Sequence, residues 1–145
     1  MSKFLCECDI VEFDPQIYPY SLWVGKNLDY ETVSKRFYAL CEGDVLSEIS
    51  PQMWNFNITN KNVSVYPVVD KNTMCIGVLV RIHRVSSLKA STITHEASHI
   101  TDFFAERMGF TDFSYNGGEP RAYLAGWVAD CIDKVKRGKY GKSTK

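Results

Sequence analysis

The densest chemistry in this chain lies within five residues. His95 and His99 are two of its three histidines, and Glu96 stands between them. On an α-helix, residues four apart share a face about one turn apart, so both imidazoles can offer a ring nitrogen to one tetrahedral Zn²⁺. Glu96 is rotated by roughly 100° from His95. That takes its carboxylate off the metal but leaves it beside an open coordination position, where it can act as a general base toward water.

The surrounding sequence supplies the helix this geometry needs. From Ser87 to Met108, the apolar residues Ile93, Ala97, Ile100 and Phe104 recur at helical spacing, while His95, His99, Asp102 and Glu106 fall on the opposite side. Gly109 is the expected stop, and residues 110 to 118 read as a loop containing Gly117-Gly118. Glu119-Pro120 then opens a last helix, with proline suited to its first position. Its stripe is Leu124, Trp127, Val128, Cys131 and Val135, ending at Gly138. The short connection predicts two antiparallel helices. Ala122, Ala125 and Gly126 are expected to let them approach closely, and the loop can return Glu119 toward the histidine face.

Upstream the periodicity changes to that of strands. Residues 3 to 13 and 18 to 25 are rich in β-branched and aromatic side chains and are separated by Pro15 and Pro19. Asp29 suits the N-cap of a helix through about Cys41, with Val33, Phe37 and Leu40 as its stripe and Gly43 as its stop. Val45 to Asn62 is polar and irregular and reads as loop with a short turn of helix, although Ile49, Met53, Trp54 and Phe56 should be buried. Val63 to Val69 and Thr73 to Ile82 predict an antiparallel hairpin turning at Asp70-Lys71-Asn72, its second strand covered on both faces.

His95-Glu96-Ala97-Ser98-His99 spells HExxH, and Glu119 follows His99 after nineteen intervening residues. This pattern resembles the gluzincins, the thermolysin-like branch of the zinc peptidases. The resemblance covers about residues 87 to 137. It implies an α+β, zincin-like fold: a small, mainly antiparallel sheet packed on the HExxH helix, followed by a second antiparallel helix. A strand entering that helix through a short loop is also a zincin arrangement. It further implies His95, His99 and Glu119 as zinc ligands, Glu96 as the base that activates a metal-bound water, and hydrolysis of amide bonds in a peptide or protein substrate. Two departures stand out. Thermolysin-like enzymes carry an aspartate four residues after the third ligand, where this chain has Tyr123, so support for the first histidine falls to Asp102 or a carbonyl. They also use a downstream histidine on the oxyanion, and no histidine follows His99. Tyr115, Tyr123, Arg121 and His83 are the candidates for that role. Asp102, one turn beyond His99, is the alternative third ligand; Glu119 is preferred because a third ligand from the same helix would crowd the metal. The metzincin extension fits poorly, since Asp102 and Ala105 stand where glycine and histidine are needed.

Length and composition bound the rest. With 145 residues and 45% hydrophobic content, a single domain over residues 1–138 is expected, with 139–145 as a flexible basic tail. Lys plus Arg equals Asp plus Glu at 17 each, which counts against nucleic-acid binding. No stretch approaches the ~20 apolar residues of a membrane span, and Glu7 and Asp9 interrupt any signal-like run, so a cytoplasmic protein without a membrane partner is the expectation. Five scattered cysteines suggest reduced, mostly buried thiols rather than a disulfide framework. The rival reading is a non-catalytic, metal-stabilised structural or interaction protein. Its warrant is that the Gly117 to Trp127 segment in so compact an HExxH chain is similar to small proteins of phages and mobile elements. Glu96 favours the enzyme, because a structural zinc site has no use for a base beside an open position.

Overall fold

The computed structural model describes residues 9–55 and 62–138. It divides into two compact units, Met1–Ser87 and Leu88–Lys145. The fold is α+β with a mixed sheet, six-stranded among the described residues. Cys6, Cys8, Phe56 and the basic tail from Lys139 lie outside the described residues.

In the first unit the elements run β1 (Asp9–Phe13), β2 (Tyr20–Lys26), α1 (Tyr30–Arg36), β3 (Phe37–Cys41), β4 (Val45–Glu48), α2 (Pro51–Asn55), β5 (Val63–Asp70) and β6 (Ile76–Ile82). The sheet order is β1-β2-β6-β5-β3-β4. The expected hairpin is β5 and β6, paired antiparallel from Val63 opposite Ile82 to Val69 opposite Ile76. Its Ile-Gly-Val-Leu-Val-Arg-Ile run is buried from Gly77 to Ile82, as a central strand requires. β2 joins β6 in parallel, Tyr20 opposite Ile76 through Lys26 opposite Ile82, while the other neighbouring pairs are antiparallel. A parallel pair needs a long crossover, and the chain from Asn27 to Cys75 provides it.

One face of this sheet gathers Trp23, Phe37, Val68 and Leu79 with Val33 of α1, Trp54 of α2, Leu28 and Ile49 into a buried cluster. Trp23 and Phe37 meet edge to face with ring centroids 4.9 Å apart. Arg81 is 6% exposed. It is accommodated there by donating to the Trp54 carbonyl and Tyr66 hydroxyl, with its guanidinium 3.6 Å from the Trp54 ring centroid.

Two sequence expectations need correction here. The helix capped by Asp29 forms, and the Asp29 carboxylate accepts from the Thr32 N–H at 2.8 Å, but it ends at Arg36 rather than near Cys41. Phe37 is extended (φ −124°, ψ 144°), and Phe37, Tyr38 and Ala39 pair with Asp70, Val69 and Val68. Main-chain pairing and burial of Phe37 outweigh the weak helical stripe. The irregular stretch after Cys41 contains edge strand β4, with exposed Val45 and Leu46. Such a strand shows little apolar alternation, because only its pairing with β3 holds it. The helical turn foreseen there is α2, and Ile49 and Trp54 are buried as expected.

The second unit is a helix pair, α3 (Ala90–Met108) and α4 (Glu119–Arg137). Ile93, Ala97, Ile100 and Phe104 of α3 are buried, as are Leu124, Val128, Cys131, Ile132 and Val135 of α4. Each fully buried branched side chain contributes about 1.5–3 kcal/mol. Gly109 and Gly138 close the two helices in the left-handed region (φ 76° and 71°). Gly126 does not serve close approach. A Cβ added there meets nothing within 4 Å.

Candidate metal centre

α3 presents the two histidines as their spacing predicts. Their ring centroids lie 4.7 Å apart with planes at 78°, and both side chains are exposed while Ala97 and Ile100 beneath them are buried. The apolar stripe therefore anchors the helix and leaves two imidazoles facing outward as neighbours. Glu96 is half-buried beside them. Ser98 donates back to the Thr94 carbonyl at 3.0 Å, which removes its hydroxyl from competition for a ligand.

Glu119 is presented by a loop that bonds to itself. The Asp112 carboxylate accepts from the Ser114 N–H at 2.9 Å, the Ser114 hydroxyl from the Gly117 N–H at 3.0 Å, and the Ser114 carbonyl from the Gly118 N–H at 2.9 Å. Hydrogen bonding from the Ser114 side chain and then its backbone holds the Asp112 carboxyl below its ordinary value. A Cβ at Gly117 would run into the Asp112 carboxylate, so any larger residue there would push that exposed side chain out of the loop's hydrogen bonding. Glu119 then begins α4, exposed, at a helix start with no side-chain cap.

The register of the two helices decides how near Glu119 comes to the histidines. Arg121 of α4 forms an ion pair with Asp102 of α3. At the other end, Ile93 and Thr94 line one cleft together with Ala129 and Asp130. The helices are therefore antiparallel, with Arg121 level with Asp102. Glu119 sits two residues before Arg121, level with about Phe104. At 1.5 Å per residue this is about 8 Å beyond His99 along the axis. Accordingly, no group of three His, Cys, Asp or Glu side chains suited to a metal forms among the described residues. The imidazole pair fits two nitrogen ligands of zinc, whereas Glu119 stands outside that pair in this arrangement.

The remaining candidates are spread out. Tyr115 is 96% exposed on the loop, and Tyr123 is 76% exposed one turn along α4 from Glu119. Neither hydroxyl occupies the dry, preorganised setting that oxyanion stabilisation draws on. Arg121 is held by Asp102 and lies over the Phe113 ring at 5.4 Å, so Asp102 serves an arginine rather than an imidazole. His83 belongs to the first unit, where its Nε2 is 2.7 Å from the Ser64 hydroxyl.

Sequence reasoning missed a cleft of about 540 Å³ at the C-terminal end of α3, lined by Asp102, Glu106, Gly109, Phe110, Phe113 and Arg121 among others. Its signal was available: two phenylalanines just beyond a glycine stop, in a loop that must stay at the surface. Among the described residues no helix is long and apolar enough to cross a membrane. Comparison of the chain with family models, curated proteins and solved structures finds no match.

Proposed function

We propose that this chain is a small zincin-like, zinc-dependent metallopeptidase that hydrolyses peptide bonds in a peptide or protein substrate. The observation that carries the reading is the exposed His95 and His99 pair, its rings 4.7 Å apart on a helix anchored by a buried stripe, with Glu96 beside it. His95 and His99 would hold the metal, with Glu119 as the third ligand. Zinc, when bound, supplies Lewis acidity toward a carbonyl and makes water acidic enough to ionise near neutral pH. Glu96 takes the proton of the attacking water and passes it to the leaving amine. To complete the site Glu119 would have to move toward the histidines; it stands in the first turn of α4, which no side chain caps.

The test is a Glu96→Gln variant assayed on a peptide pool by mass spectrometry, beside zinc-loaded wild type. Losing the base should cost about 10²- to 10⁴-fold in turnover, with zinc content unchanged. A second reading, a non-catalytic metal-binding structural or interaction protein, is favoured by one observation: among the described residues no third His, Cys, Asp or Glu side chain joins the histidine pair. Wild type that binds zinc, cleaves nothing in the pool and gains no distinguishable property over Glu96→Gln would select it.

A further inference from the structure

The cleft beside α3 differs from the histidine face in what it can recognise. Asp102 and Glu106 continue the polar stripe of His95 and His99 along the helix, so the cleft opens one to two turns beyond the histidines on the same side. Asp102 and Arg121 neutralise each other as an ion pair. Glu106 is exposed, and among the described residues its carboxylate has no ion-pair or hydrogen-bond partner, so the cleft they form carries one uncompensated negative charge. The opposite wall is aromatic. Phe113 is 72% exposed, with one ring face already covered by the Arg121 guanidinium at 5.4 Å. Aromatic wall, unpaired carboxylate and a volume of about 540 Å³ together suit a long cationic side chain. Its methylenes would lie on Phe110 and Phe113 and its head would meet Glu106.

We infer that this cleft takes an arginine or lysine side chain of the substrate, which makes Glu106 and Phe113 specificity-determining residues of the site proposed above. The inference rests on the peptidase reading for its biological use. An anionic side chain is disfavoured, because Arg121, the one cation lining the cleft among the described residues, is already paired with Asp102.

The experiment measures binding rather than turnover. A fluorescently labelled heptapeptide of alanines with one central arginine is titrated against the Glu96→Gln protein by anisotropy, beside the same peptide carrying the neutral isostere citrulline. An exposed ion pair and a cation–π contact together favour the arginine peptide by about tenfold. Adding Glu106→Gln should bring the two affinities close together, and adding Phe113→Ala should weaken the arginine peptide. Equal affinity for the two peptides, absence of binding by both, or a preference untouched by Glu106→Gln overturns the inference. Cleavage of the peptide pool by zinc-loaded wild type is scored separately. Turnover without any preference for basic residues would refute the cleft assignment while leaving the peptidase reading intact.

Discussion

Replacing Gly77 by alanine should break the first unit at its centre. Gly77 of β6 lies opposite Ser21 of the parallel strand β2. A Cβ on Gly77 would stand 2.0 Å from the Ser21 carbonyl oxygen, 2.9 Å from its carbonyl carbon and 2.6 Å from Cζ3 of Trp23. The approach to oxygen falls short of ordinary contact by more than an ångström. Backbone atoms cannot rotate away, and Trp23 is fully buried among packed neighbours, so the two strands must part. Overpacking costs about 1–3 kcal/mol when side chains can adjust; with backbone in the way the expected cost is about 3 kcal/mol, close to a 10 °C drop in Tm for a chain of this size. Gly126→Ala is the control, since its Cβ meets nothing within 4 Å in the middle of α4. It should stabilise by about 0.5–1 kcal/mol through helix propensity. Urea unfolding followed by tryptophan fluorescence and far-UV circular dichroism reads both variants, with the midpoint moving and the slope unchanged. A cost below about 1 kcal/mol for Gly77→Ala would mean that β2 and β6 are not paired in this register.

Other outcomes follow from single groups. Asp29→Ala should cost about 1 kcal/mol, the usual worth of an N-cap. Because hydrogen bonds to Thr32 lower the Asp29 pKa from 3.8 in the folded chain, that contribution is present above this value and is lost as pH falls through the lower folded value; a cap effect identical at neutral and strongly acid pH, measured by urea unfolding, would contradict it. Burial pushes the Cys131 thiol up from 9.0 to about 12, so at pH 8 a thiol-specific reagent should label exposed Cys41 at once and reach Cys131 only after denaturation. The same raised pKa means that stability is unaffected by this group below pH 9 and declines as pH rises from there toward 12, which alkaline titration of the unfolding midpoint checks.

The histidine face was legible in the sequence because a single helix determines it. The periods of Ile93, Ala97, Ile100 and Phe104 set which way α3 turns, and the i, i+4 spacing of His95 and His99 then requires the rings to be neighbours. The ends of α3 and α4 were legible for the same local reason: Gly109 and Gly138 both adopt the left-handed conformation that stops a helix. What depended on distant partners was not legible. Phe37 to Cys41 carries a helical stripe, yet it becomes β3 because β5 is there to pair with it. β4 has no pattern of its own, and the parallel joining of β2 to β6 spans a crossover that no local signal records. The position of Glu119 belongs to this second kind. Its nineteen-residue spacing from His99 matches the thermolysin-like pattern, but its distance from the histidines is set by how α3 and α4 slide against each other, which the Asp102 and Arg121 ion pair now marks.

The claim on which the functional account rests is that His95 and His99 bind zinc. Elemental analysis of the purified chain beside His99→Ala and Glu119→Ala variants addresses it directly. The account predicts close to one zinc per chain in wild type and its loss in His99→Ala, with Glu119→Ala losing zinc as well if the first turn of α4 moves to complete the site. Wild type without zinc after reconstitution, or zinc retained in His99→Ala, would contradict the account and leave the paired histidines as surface residues of a helix.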